Sequence, residues 1–172
     1  SSWLGGNRLK NSHELSEGEW LNHGGNQESP PLFAKYSVSV PKTGTYHLWT
    51  RKFWKHGPFK WRFDKESWTY CGWDCGLADN FTFQENVCAN WVNLGTITLP
   101  EGKHTFELQL TAKEGEKATA CFDAFLLSEG PFVPRGKLKP GEKSGAASTG
   151  YWAFEPGIDT FAPSPIDLRH LN

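Results

Sequence analysis

Methionine is absent from this 172-residue chain, and so is a surplus of charge: 18 Lys and Arg stand against 19 Asp and Glu, a formal net charge of −1. That balance gives no global basic field for nucleic acid and no acidic-tail behaviour. No run of about 18 apolar residues occurs, so no membrane-spanning helix is expected. Residues 1–6 carry neither a basic stretch nor a long apolar one, so no signal peptide is expected there, as in a mature domain. Cysteine is scarce, with only Cys71, Cys75, Cys88 and Cys121. An even count permits two disulfides in any of three pairings, or four thiols. Two Cys four positions apart, followed by two isolated ones, is not a usual structural-zinc spacing. Also missing are a Gly-x-Ser-x-Gly elbow, a His-Glu-x-x-His zinc motif, a phosphate loop and a dinucleotide fingerprint. The carboxylates are plentiful but form no recognisable catalytic pair. No internal repeat and no sustained helical period is visible.

What is abundant is aromatic and turn-forming: 9 Trp, 12 Phe, 18 Gly and 11 Pro. One domain of this length can build its own core. Aromatics with many turn residues point to a sandwich or barrel rather than a helical bundle. Nine Trp exceed what a small core needs, and exposed Trp serves recognition. From Ala34 onward the chain reads as strands of period two. Ala34, Tyr36, Val38 and Val40 alternate with polar residues before a turn at Pro41 to Gly44. Tyr46 and Leu48 mark the next strand, Phe59, Trp61 and Phe63 another, with further strands from Trp91 to Leu99 and through Phe106, Leu108 and Leu110. Cys121 to Leu127 is nearly continuously apolar, as a central strand should be. The fold class expected is all-β, an antiparallel β-sandwich, with Tyr36, Val38, Leu48, Phe63, Phe106, Leu108 and Phe122 in its core. Residues 66–90 have poor periodicity. Residues 1–136 read as the sandwich domain, and 137–172 as a linker-like extension partly strapped onto it.

One window concentrates cations among aromatics. Residues 51–65 hold six Lys or Arg and a single acid, together with Phe53, Trp54, Phe59, Trp61 and Phe63. Sugar recognition needs flat apolar faces for pyranose rings and polar forks for hydroxyls, and anionic sugars add a need for Arg and Lys. Alternation places Phe59, Trp61 and Phe63 in the core and leaves Lys60 and Arg62 on a solvated face. Trp54, with Lys55 and His56 beside it, sits at a turn, where an aromatic lacks a core role. Trp73, in the Gly72 to Gly76 loop, is similar, and Trp91 heads a strand as either core or rim. The candidate ligand residues are therefore Trp54, Trp73, Trp91, Arg51, Lys55 and His56.

Three stretches, in order, resemble β-sandwich carbohydrate-binding modules of the family six and family thirty-five type. Ala34, Tyr36, Val38, Val40, Pro41, Gly44, Thr45, Tyr46 and Leu48 fit A-x-Y-x-V-x-V-P-x-A-G-T-Y-x-L. Trp91, Leu94, Gly95, Leu99, Gly102, His104 and Phe106 are similar to the later strand pair, and Phe122, Asp123, Phe125 and Leu127 to the closing strand. The resemblance spans residues 34–127. It implies a galactose-binding-like jelly roll, a polysaccharide or oligosaccharide partner, secretion or cell-surface display, and a covalently attached catalytic domain. It also implies a structural calcium held by Asp123 and an upstream Glu-x-Glu pair, for which Glu17 and Glu19 are the nearest equivalents. The expected function is non-catalytic binding of an anionic polysaccharide, sulfated or rich in uronic acid. The alternatives are a small β-sandwich lyase or hydrolase and an adhesion domain. Neither nucleic acid nor membrane is expected as a partner.

Overall fold

Alternation of side chains decides which faces meet in the computed structural model, which describes residues 14–16, 20–24, 33–53, 55–72, 74–79, 82–84, 87–111, 119–130, 151–154 and 166–167. The strands are β1 Leu21–Gly24, β2 Phe33–Val40, β3 Gly44–Lys52, β4 Phe59–Phe63, β5 Thr69–Cys71, β6 Thr82–Gln84, β7 Val87–Cys88, β8 Asn90–Leu99, β9 Gly102–Leu110, β10 Thr119–Ser128, β11 Tyr151–Phe154 and β12 Ile166–Asp167. One sheet runs β12-β11-β10-β3-β8, with β1 also paired to β10; a four-stranded sheet runs β2-β9-β4-β5; β6 and β7 form a separate pair. Every pairing between these strands is antiparallel. The expected all-β antiparallel sandwich is therefore what the chain forms.

The core lies between the two larger sheets. In β2 every second residue, from Ala34 to Val40, is buried. These side chains meet Phe59, Trp61 and Phe63 of β4, Phe106 and Leu108 of β9, Leu48 of β3, and Phe122, Phe125 and Leu127 of β10. All seven residues expected in the core are in it. Phe106 packs on Phe63 at 5.1 Å and on Phe125 at 4.9 Å, and Phe59 meets Phe122 edge-on at 5.0 Å. Offset and edge-on arrangements of this kind favour aromatic pairs beyond their area burial.

Strand β10 is covered on both faces, which explains its almost unbroken apolar run. Its second face carries a smaller cluster of Leu15, Trp20, Ala89 and Cys121, with Phe53 against it. The register slips between Phe122 and Ala124, so Phe122 and Phe125 both reach the main core while Asp123 lies within the bulge. A second irregularity lies opposite Leu48 and Trp49, whose partners are Gly95 and Asn93. Gly95 has a φ of 110° there, a conformation that a side chain disfavours, and its N–H donates to the Asn93 side chain at 2.8 Å. At the C-terminal end, β11 pairs with β10 from Phe125 to Ser128 and β12 pairs with β11. Residues 137–150 lie outside the described residues.

Candidate ligand-binding face

Register places a row of side chains across the outer face of the four-stranded sheet. Phe33 is opposite Gln109, Gln109 opposite Lys60, and Lys60 opposite Tyr70. The next row runs Lys35, Glu107, Arg62. The inward positions of β4 are Phe59, Trp61 and Phe63, so Lys60 and Arg62 must point outward. Trp68 precedes β5 and joins both rows. Its ring lies 4.3 Å from the Arg62 guanidinium carbon, 5.3 Å from Lys60 Nζ and 6.5 Å from the Phe33 ring. These are cation–π and aromatic distances.

The face therefore combines rings with cations. Tyr70 is 63% exposed and Phe33 46% exposed. Between them, Glu107 and Gln109 are buried at 5% and 9% although alternation sends them outward, because the long side chains of neighbouring strands cover them. Glu107 ties the cations together. Its Oε2 accepts from Arg62 Nε and lies 2.5 Å from Arg62 Nη2, and its Oε1 pairs with Lys35. Burial pushes the Glu107 carboxyl up, but its bonds with Lys35 and Arg62 outweigh this and hold it below the usual carboxylate range. Lys35 and Arg62 share this one carboxylate and Lys60 lies beside them against Trp68, so these rows carry three cations and one acid.

The residues singled out in the sequence are distributed differently. Trp54 and Trp73 lie outside the described residues, as do Glu17 and Glu19. Arg51 and Trp91 are fully buried, opposite one another on β3 and β8, so neither presents a surface to a ligand. That corrects their placement as ligand residues: an Arg inside a cationic stretch reads as exposed, whereas here the core supplies its counter-charge. Arg51 Nη1 is 2.9 Å from Asp123 Oδ2 and also donates to the Glu14 carbonyl at 3.0 Å. Lys55 is exposed. His56 packs against Phe53 with ring centroids 4.3 Å apart, tilted by 41°. Burial, and then the nearby Lys52 charge, lower its pKa to about 4, so at neutral pH it offers no cation to an acidic sugar.

Asp123, expected to bind calcium with Glu17 and Glu19, is engaged by protein groups. Both of its oxygens are engaged, Oδ1 by the Ser16 N–H at 2.8 Å and Oδ2 by Arg51. A guanidinium at ion-pair distance already neutralises the carboxylate and would repel a divalent ion. Among the described residues no group of three or more His, Cys, Asp or Glu gathers as a metal site.

Among the described residues, His104 pairs with Asp64. His104 Nδ1 is 2.7 Å from Asp64 Oδ2 and Nε2 is 2.8 Å from the Pro100 carbonyl. Both partners are acceptors, which favours the protonated ring. Burial opposes that charge, but Asp64 and the carbonyl prevail and raise the pKa.

The candidate face that sequence reasoning did not single out is Phe33, Trp68 and Tyr70 around Lys60 and Arg62. The usable signal was the β4 alternation itself, which turned Lys60 and Arg62 toward the same side as any aromatic contributed by the following strand.

No family model matches the chain, and no curated protein matches it. Among solved structures it is similar to the Podospora anserina GH26-CBM35 β-(1,4)-mannanase, with a TM-score of 0.51 and 13% identity over 78% of this chain and 26% of that one. A Paenibacillus xanthan lyase gives a TM-score of 0.49 and 16% identity over 73% of this chain and 11% of that one. The chain thus spans only about a quarter of the mannanase, and the likeness to it is one of fold.

Proposed function

We propose that this chain is a secreted, non-catalytic carbohydrate-binding module that holds an anionic polysaccharide on the outer face of its four-stranded sheet. The observation that carries the reading is Trp68, packed against Arg62 and Lys60 between the exposed rings of Phe33 and Tyr70. The exposed aromatic faces meet the C–H sides of pyranose rings, and Lys35, Lys60 and Arg62 meet carboxylate or sulfate groups. Strands about 4.8 Å apart set Phe33 and Tyr70 about 14 Å from each other, which suits a chain of several sugar rings. The face is open and shallow, so affinity per site falls in the range of about 1 μM to 1 mM. Such a module tethers an attached catalytic domain to its substrate and raises the local concentration.

Affinity electrophoresis in gels of polygalacturonate and of a neutral glucan, combined with an overnight product assay, tests the reading. Retardation in polygalacturonate without new reducing or unsaturated ends is expected. Product formation would make the protein a lyase or hydrolase. Neither retardation nor product would favour an adhesion domain.

A further inference from the structure

Lys52 is buried at 1% exposure where the end of β3 approaches the end of β5. Its Nζ donates to the Phe53 carbonyl at 3.0 Å and to Cys75 Sγ at 3.9 Å. Burial lowers its pKa, while attraction to Cys75, then Cys71 and Cys121, favours its charge. A buried ammonium among sulfur atoms is stabilised when one of them is a thiolate. Cys71, four positions before Cys75, faces the same ammonium and donates toward the Gly72 carbonyl at 3.9 Å, and its thiol acts electrostatically on that of Cys75. Two sulfurs therefore sit beside the same buried lysine, with Cys75 in direct contact with its Nζ.

We propose that Cys71 and Cys75 form an oxidisable dithiol, in which Cys75 attacks an external disulfide and Cys71 resolves the product into an intramolecular bond. In the first step the Cys75 thiolate displaces one thiolate from a small-molecule disulfide, RSSR, and becomes a mixed disulfide. In the second, Cys71 loses its proton to solvent and its sulfur attacks that of Cys75, releasing the second thiolate. Two protein thiols and one RSSR give one protein disulfide and two RSH, so the external disulfide is the electron acceptor.

The roles follow from the surroundings. The neighbouring Cys71 thiol, together with Lys52, lowers Cys75 to about 6 against the effect of burial. Interaction with Cys75 and burial raise Cys71. The other groups facing the pair are Lys52, Cys121 and, beyond Lys52, His56. Cys121 donates to Asn22 Oδ1 at 3.2 Å, and burial raises it, so it stays an inert thiol. Cys71 also ends the strand that carries Tyr70, and Gly72 sits against the Tyr70 ring, so the bond would close the chain beside the proposed binding face.

The native protein treated with oxidised glutathione, alkylated under denaturing conditions and cleaved after Lys65 and Lys103 tests this directly. The peptide of residues 66–103 should have lost two hydrogens, with fragmentation placing the bond between Cys71 and Cys75 and the alkyl group on Cys88. In Cys71→Ser, glutathione should accumulate on Cys75. The exchange rate should rise with a midpoint near pH 6. At pH 6 it should be about tenfold faster than for an ordinary thiol of pKa about 8.5, once the lower nucleophilicity of a less basic thiolate is included. Full alkylation of all three cysteines after treatment, or a bond that includes Cys88, would overturn the proposal, and the wild-type mapping decides this even where the variant fails to fold.

Discussion

Replacing Asp123 by Asn should destabilise the fold severely, because it removes charge while keeping an acceptor for the Ser16 N–H. Arg51 and Asp123 are both fully buried, 2.9 Å apart, with the chain at 14–16 closed over them. The variant takes from the buried Arg51 guanidinium the carboxylate charge that it faces at 2.9 Å. Breaking a buried pair from one side costs about 3–5 kcal/mol, because the remaining charge is left desolvated. For a domain of this size, each kcal/mol moves Tm by about 2–4 °C, so Tm should fall on the order of 10 °C. Replacing both partners with apolar residues, Arg51→Met with Asp123→Leu, should recover most of that loss. Urea unfolding followed by Trp fluorescence measures all three proteins. Chelation of the wild type should leave Tm unchanged, since Arg51 already serves as the cation at Asp123. A loss below about 1 kcal/mol in Asp123→Asn, or a calcium-reversible drop in Tm on chelation, would refute the reasoning.

Trp91→Ala should cost about 3–5 kcal/mol by cavity formation and leave polysaccharide affinity of the folded fraction intact, which gel retardation at low temperature checks. Lys60→Ala should flatten the salt dependence of retardation without abolishing it, because the screening length falls from about 10 Å at 0.1 M to about 3 Å at 1 M salt. His56 has a folded pKa of about 4, below its ordinary value of 6.5, so between these pH values the unfolded chain binds more protons. Stability should therefore fall as pH drops from 6.5 toward 4, and His56→Phe should reduce that slope in urea titrations. The His104–Asp64 bridge has the opposite sign on its histidine: the raised pKa makes its contribution present below 6.5 and lost as pH rises through the folded value. An NMR titration of His104 and His56 separates the two.

Strands with a buried face were legible because period two is a local signal. Ala34 to Val40 alternates without exception, and Phe59, Trp61 and Phe63 were assigned to the core correctly. The continuous run in β10 was legible as a central strand because both of its faces are covered. The site was harder to read. Arg51 and Asp123 lie 72 positions apart, and only the β3–β10 register brings them together. Arg51, grouped with Lys55 and His56 as a ligand residue, belongs instead to a buried pair and Lys52 to a thiol cluster, while Lys60 and Arg62 keep the outer face that alternation gave them. Trp68 was missed because β5 has only three residues, too few to show a period, and its ring is placed by Arg62 and Lys60 across the strand pair.

The most direct measurement is the retardation of Trp68→Ala against wild type in polygalacturonate gels at 0.05 and 1 M sodium chloride. With the variant's fold verified by far-UV circular dichroism, wild type should be retarded strongly at low salt and weakly at high salt, and Trp68→Ala should migrate as it does in a gel without polysaccharide. Undiminished retardation of Trp68→Ala, with binding lost instead in Trp54→Ala or Trp73→Ala, would contradict the account and move the site off the four-stranded sheet to the turn aromatics.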